Sequence, residues 1–185
     1  ATAGGGDSVR EPVSATDVAE QALQLIEPLI ARARDRNPIQ LVTQFEPTLP
    51  ISGDTTELRA AIANLIANAI DAMPQGGTLT VGTRMAGSHV EVMVRDTGIG
   101  MDDEVRSRCF EPFFTTKGSR GTGIGLAATH ATVERHGGNI ILETKLGSGT
   151  AFTLRLPSSG TNEYMPLKAA SAHRPESATG IGVAR

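Results

Sequence analysis

The chain has 185 residues, a formal net charge of −3, 39% hydrophobic residues and only 3% aromatic ones, with no Trp. That suits one domain with tails and an aliphatic core, and it gives no support for broad nucleic-acid binding, which needs clustered Lys and Arg. A single cysteine, Cys109, excludes an internal disulfide and a cysteine-rich metal site. No run approaches the roughly 18 apolar residues of a membrane span, and neither a signal peptide nor an initiator Met is present. The expectation is therefore a cytoplasmic piece of a longer chain.

In chain order, residues 1–10 are small and Gly-rich and read as a linker remnant. A helix is expected from Thr16 to Arg36, with Val18, Ala22, Leu25, Leu29 and Ala33 as its apolar stripe. Pro28 lies inside it, and since an interior proline costs about 3 kcal/mol, a kink or break is expected near Glu27. Ile39 to Phe45 reads as a strand punctuated by Pro47 and Pro50. Asp54-Thr55-Thr56-Glu57 has capping-box spacing, with Glu57 reaching back. It opens a helix to Met73 with Leu58, Ile62, Leu65, Ile66, Ala69 and Ile70 on the apolar side. Asn64, Asn68 and Asp71 step by four and three and share another face. Thr78–Arg84 and His89–Asp96 predict a hairpin joined at Ala86-Gly87-Ser88. A short helix over about Asp102–Cys109 precedes Phe110-Glu111-Pro112-Phe113-Phe114-Thr115-Thr116-Lys117. Ile124 to Arg135 predicts a further helix, closed by Gly137-Gly138. Asn139–Lys145 and Thr150–Leu156 form a last hairpin around Gly147-Ser148-Gly149. From Ser158 the chain is Ser/Ala/Pro/Gly-rich, so 158–185 is expected to be a disordered tail. The sum is a two-layer α+β sandwich: a mixed, mostly antiparallel sheet of about five strands with three main helices on one face, over 11–157.

Four features carry candidate chemistry. Two carboxamides one helical turn apart, Asn64 and Asn68, can hold a hydrated Mg²⁺ beside phosphates, because Mg²⁺ keeps most of its water; the same spacing also suits a solvated helix face. Asp96 ends an alternating strand; with the glycines of Asp96-Thr97-Gly98-Ile99-Gly100-Met101 it could accept a hydrogen bond from an adenine amino group while backbone lies along the ring, although a carboxylate at a strand end also suits a plain turn. Thr150 is placed to support that carboxylate. Gly121-Thr122-Gly123-Ile124-Gly125-Leu126 has neither Walker nor dinucleotide spacing, but it lies at a helix N-terminus, where free N–H groups and the dipole favour phosphate, although a glycine run there also suits a plain loop. Between the two glycine clusters sit Phe110, Phe113 and Phe114, three of the five phenylalanines, able to anchor a flap onto the domain or onto a partner. Lys117 and Arg120 follow, placed to meet a triphosphate; the same stretch also suits a hydrophobic plug with solvated cations. His130 and His136 are six apart, the wrong spacing for a shared metal, and with His89 and His173 they read as neither nucleophile nor ligand. Cys109 reads as a packing residue.

Taken in order, Asn64 to Met73, Asp96 to Met101, Phe110 to Lys117, Gly121 to Leu126 and Gly147-Ser148-Gly149-Thr150 resemble the nucleotide-binding motifs of sensor histidine kinases. The resemblance runs from Val13 to Pro157 and is to the ATP-binding catalytic domain, of the Bergerat fold shared with gyrase, Hsp90 and MutL; Phe-Phe-Thr-Thr-Lys is similar to the form in nitrogen-regulation and PAS-linked kinases. It implies that Asn68 coordinates Mg²⁺, that Asn64 lines the phosphates with Asp71 and Ala72 nearby, and that Asp96 recognises adenine. Gly98, Ile99, Gly100 and Met101 would line the base. Thr115, Thr116, Lys117 and Arg120, in a lid over 101–120, would join Gly121, Thr122, Gly123, Ile124, Gly125 and Leu126 on the phosphates, with Asn64, Asn68 and Lys117 catalytic. The γ-phosphate of ATP would pass to a histidine on a separate helical-hairpin dimerisation domain, and then to an aspartate of a response regulator; the isolated piece would be a monomer and the parent protein a homodimer.

Two departures follow. No histidine precedes His89, so the acceptor is absent and the chain cannot phosphorylate itself alone. Asp71 stands where many kinases of this family carry a base, leaving more of the phosphate neutralisation to Lys117 and Arg120. In gyrase-like ATPases and anti-sigma serine kinases, the position of Asn64 holds a glutamate that can act as a general base. An amide cannot accept a proton at neutral pH, so Asn64 favours transfer to imidazole over hydrolysis. An anti-sigma-type serine kinase and a nucleotide-binding interaction module without turnover remain the alternatives.

Overall fold

The computed structural model describes residues 10–35, 38–118 and 121–159. The elements are β1 (Glu11–Val13), α1 (Ala15–Arg34), β2 (Ile39–Phe45), β3 (Ile51–Gly53), α2 (Thr55–Asp71), β4 (Gly77–Ala86), β5 (His89–Asp96), α3 (Asp103–Arg108), α4 (Gly125–Arg135), β6 (Asn139–Lys145) and β7 (Gly149–Pro157). The main sheet has order β2-β4-β5-β7-β6. β2 runs parallel to β4, and the other three pairings are antiparallel. Alternation along β4, β5 and β7 turns Leu79, Val81, Val90, Val92, Val94, Leu154 and Leu156 towards the helices. There they meet Leu58, Ile62, Leu65 and Ile66 of α2 in one continuous core. Each such side chain contributes about 1.5–3 kcal/mol by leaving water. The expected two-layer arrangement and the five-stranded sheet are thus present.

Several local expectations are corrected. α1 does not break at Glu27; it is helical through Pro28. Glu27, Pro28 and Leu29 face solvent, so the Gln24 carbonyl that loses its partner to the proline ring can hydrate, while buried Ala22 and Ile30 hold the flanks. The apolar stripe is also rotated. Ala15, Val18, Ala19, Ala22 and Ile30 are buried, whereas Leu25 is 58% and Leu29 36% exposed. β1 and β3 form a separate antiparallel ribbon that was not expected, pairing Val13 with Ile51. At three residues each, beside Pro12 and Pro50, they are too short for a period-two pattern to show. The last described residues are tied down: the Ser158 N–H donates to the Ser88 carbonyl at 3.1 Å and the Ser159 N–H to the Pro50 carbonyl at 2.8 Å. The remainder of the 158–185 tail, like nine of the first ten residues, lies outside the described residues.

The start of α2 departs from a capping box. Asp54 Oδ1 accepts from the Thr56 and Glu57 N–H groups at 2.8 and 3.0 Å, as an N-cap should. Glu57 does not reach back; its carboxylate takes Arg135 of α4 at 3.1 Å. The Asp54 N–H donates instead to His136 Nε2 at 3.0 Å, and His136 Nδ1 lies 2.7 Å from the Thr132 carbonyl. A carbonyl only accepts, so Nδ1 carries the proton and Nε2 is the acceptor. This buried imidazole joins the end of α4 to the start of α2, packed where Gly53 has no Cβ to obstruct it.

Candidate functional site

Asp96 closes β5, and register places it opposite Thr150 of β7. Its carboxylate is buried, at 4% residue exposure. Oδ1 accepts from the Gly98 N–H at 2.8 Å and the Thr150 N–H at 3.3 Å. Both bonds fall on one oxygen, and among the described residues none donates to Oδ2. Burial pushes this carboxyl above the usual carboxylate value, and the two amide bonds pull against that rise. Thr150 therefore supports Asp96 as expected, though through its amide; its hydroxyl lies 3.0 Å from that of Thr144.

The turn after Asp96 is held from two sides. The Ile99 N–H donates to the Ala72 carbonyl at the end of α2, at 2.9 Å, and the Gly147 N–H to the Ile99 carbonyl at 2.6 Å. A Cβ on Gly98 would strike that Ala72 carbonyl, and Gly100 adopts φ +65° against the Lys145 carbonyl. Both glycines are thus required where the turn passes between α2 and the β6–β7 loop. The Met101 N–H donates to Thr144 Oγ1 at 3.0 Å. Ile99 stays 58% exposed.

On α2, Asn64 Nδ2 donates to Thr129 Oγ1 of α4 at 3.0 Å. Gly125, the first residue of α4, lies so close that a Cβ there would come within 2.9 Å of Asn64 Cγ. Ile124 caps α4 with no side-chain hydrogen bond, so its first-turn N–H groups are not taken up by a capping side chain. One turn further along α2, Asn68 Oδ1 accepts from Lys117 Nζ at 2.9 Å, and the same ammonium meets Asp71 Oδ2 at 2.6 Å. Lys117 is therefore engaged by the acid that replaces the expected base. Arg120 lies outside the described residues.

The segment between the glycine clusters sorts its three phenylalanines. Phe110 packs inward, 5.1 Å from the His130 ring and 6.2 Å from Phe152. Phe114 stacks under the Arg108 guanidinium at 4.4 Å. Phe113 stands 76% exposed at φ +68°, a left-handed conformation unusual for a residue with a Cβ. Its N–H donates to the Gly123 carbonyl at 2.9 Å, and a Cβ on Gly123 would run into the Phe113 backbone. Thr115 Oγ1 accepts from the Lys117 N–H at 3.1 Å and crowds Gly121; Thr122 Oγ1 accepts from the Ile124 N–H at 3.4 Å. Thr116 and Ile124 are exposed, and Leu126 packs on the core. Cys109 is buried, which raises its thiol above the ordinary value against a backbone hydrogen bond and nearby Arg106. His130 pairs with Glu134 at 3.4 Å and does not enter the site. Sequence reasoning missed the structural role of His136, whose partner lies 82 residues away. Among the described residues no group of three or more His, Cys, Asp or Glu is arranged around a metal, and no helix is long and apolar enough to cross a membrane.

Asn64, Asn68, Asp96, Lys117 and the glycine turns thus converge from five segments around the C-terminal half of α2. The model of the histidine kinase-, DNA gyrase B- and HSP90-like ATPase family matches residues 53–160. The chain is 39% identical over 130 residues to the sensor histidine kinase ZraS of Escherichia coli, covering 70% of this chain and 28% of that protein. It is 37% identical over 131 residues to the sensor-like histidine kinase SenX3 of Mycobacterium tuberculosis, covering 68% and 32%. Against solved structures, it matches a mycobacterial sensor histidine kinase, MprB, with a TM-score of 0.68 at 30% identity over 80% of this chain and 97% of that one. Full-length ShkA in complex with AMPPNP matches with a TM-score of 0.72 at 26% identity, over 86% and 34%. The chain therefore spans about a third or less of the curated relatives it matches. The chain belongs to the histidine kinase-, DNA gyrase B- and HSP90-like ATPase family.

Proposed function

We propose that this domain binds ATP with Mg²⁺ and presents the γ-phosphoryl group to a histidine on a separate helical-hairpin domain, for onward transfer to an aspartate of a response regulator. The observation that carries the reading is Asp96: a buried carboxylate held by two amides on one oxygen, opening onto a glycine turn and the carboxamide face of α2. Relatives named as sensor histidine kinases, and ShkA seen with AMPPNP, point the same way.

Asp96 Oδ2 would accept the adenine amino group, with Gly98, Ile99, Gly100 and Met101 along the base. Asn64, Gly121 to Leu126 and the N–H groups opening α4 would face the phosphates, where the helix dipole favours negative charge. The residues fit Mg²⁺: Asn68 Oδ1 already accepts a cation, the Lys117 ammonium. Asn68 would hold the metal, which when bound would supply charge neutralisation at the phosphates. Asn64 donates through Nδ2 to Thr129 and has no basic atom, so it orients and cannot abstract a proton from water. Imidazole, already nucleophilic, needs no such base. Catalysis is then positioning and electrostatics, as in phosphoryl transfer generally. Lys117 would turn from Asp71 to the γ-phosphate as nucleotide arrives.

The test is to mix the domain with the helical-hairpin domain of its parent protein and γ-labelled ATP. Acid-labile, base-stable label on the hairpin histidine is expected. Acid-stable phosphoserine as the only product would overturn the reading.

A further inference from the structure

Lys117 Nζ lies 2.9 Å from Asn68 Oδ1 and 2.6 Å from Asp71 Oδ2. The two oxygens come from one face of α2, three residues apart, and both point at the same positive charge. Lys117 comes from a different segment, 46 residues on from Asp71. Oxygens converging on one cation make a cation site, and Mg²⁺ accepts one or two protein oxygens when water and phosphate complete its shell. Here the site holds the chain's own ammonium.

We propose that Asn68 and Asp71 together form the divalent-cation site, that Lys117 fills it in the nucleotide-free protein, and that nucleotide binding exchanges the ammonium for the metal. The inference rests on the reading of the site as one for Mg-ATP. An isolated, half-exposed Lys–Asp pair would be worth little, since water screens it and two long side chains must be held in place. This one differs in what surrounds it. The ammonium also engages Asn68, the residue best placed for the metal, so lysine and metal compete for one oxygen. When a metal arrives, Asp71 keeps a cation beside it, and Lys117 is released to phosphate oxygens, which suit it better than a single carboxylate. When nucleotide arrives without a metal, Asp71 faces the triphosphate as a like charge, and Lys117 can serve only one of them. Asp71 thus makes binding conditional on the divalent ion. It is a specificity-determining residue that selects Mg-ATP over free ATP.

The experiment compares the full chain with Asp71→Asn and Asp71→Lys by calorimetric titration with AMPPNP, once with Mg²⁺ and once with EDTA. The quantity read is the gain in affinity that Mg²⁺ confers. Asp71 is exposed, and a thermal melt confirms that each variant is folded. In Asp71→Asn the gain should shrink about tenfold, within the usual range for coupled ligands, chiefly because binding in EDTA tightens. In Asp71→Lys the gain should be smaller still. An equal gain in wild type and Asp71→Asn would overturn the proposal while leaving the nucleotide reading intact. Failure of the wild type to bind AMPPNP in either condition would overturn both.

Discussion

Replacing His136 by alanine tests whether the two helices of the site are locked together at their far ends. The imidazole is buried, accepts the Asp54 N–H at the N-cap of α2 and donates to the Thr132 carbonyl of α4. The Thr132 carbonyl would keep a partner, because the His136 backbone N–H also reaches it at 3.2 Å. The Asp54 N–H would not. A donor left alone away from water costs about 1–3 kcal/mol, and this bond is part-buried, which puts the loss towards the lower end. The lost packing of a nearly fully buried ring adds roughly 1 kcal/mol, on the scale of about 25 cal/mol per Å². The sum is about 2–4 kcal/mol, which for a domain of this size lowers Tm by roughly 5–15 °C. Thermal and urea unfolding followed by circular dichroism reads this directly. His89→Ala is the control: among the described residues that ring makes one exposed hydrogen bond, to Ser88 Oγ at 3.3 Å, and the variant should stay within about 0.5 kcal/mol of wild type. A His136→Ala loss no larger than that of His89→Ala would refute the interlock.

Two further predictions concern stability at the site. The Asp96 carboxyl is raised above its ordinary value mainly by burial, so its ionised form opposes folding. That penalty is fully present above the folded-state pKa and disappears as pH falls through it towards the unfolded value. Asp96→Asn keeps an acceptor for Gly98 and Thr150 and should melt no lower than wild type at neutral pH, with wild type gaining on it as pH is lowered; melts across the acid range that show the difference moving the opposite way would contradict this. Phe113 sits at φ +68° with its side chain 76% exposed, so Phe113→Gly removes strain of about 1 kcal/mol and little packing. The variant should be as stable as wild type or more so in urea, and a loss above about 1 kcal/mol would show that the ring is held by something else.

The parts of the fold legible in the sequence were those whose signals are local. α2 carries an N-cap, helical spacing and a Pro/Gly stop within one stretch, and each hairpin alternates around its own turn. The two carboxamides and the Asp96 turn were equally visible, because one helix face and one strand end contain them. What escaped depends on partners distant in sequence. Glu57 looks like a cap residue until Arg135 is seen beside it, and His136 looks idle until Asp54 is. The phase of α1 is not legible because Leu25 and Leu29 outweigh the alanines in hydrophobicity, while the closely packed face is the one with Ala15, Ala19 and Ala22. The intrinsic cost of Pro28 predicts a break, but on a solvent-facing turn packing on either side overrides it. Asp71 read as a missing base; its engagement of Lys117 spans 46 residues and is a matter of geometry alone.

The central claim is that Asp96 selects adenine and that the α2 carboxamides meet the phosphates. Calorimetric titration of Mg-ATP into wild type, Asn68→Ala and Asp96→Asn tests it most directly. Wild type should bind, and each variant should lose roughly 10–100-fold in affinity while remaining folded, the loss of about 1.5–3 kcal/mol expected for a charged hydrogen bond or metal contact. No measurable binding by wild type, or undiminished binding by Asp96→Asn, would contradict the account.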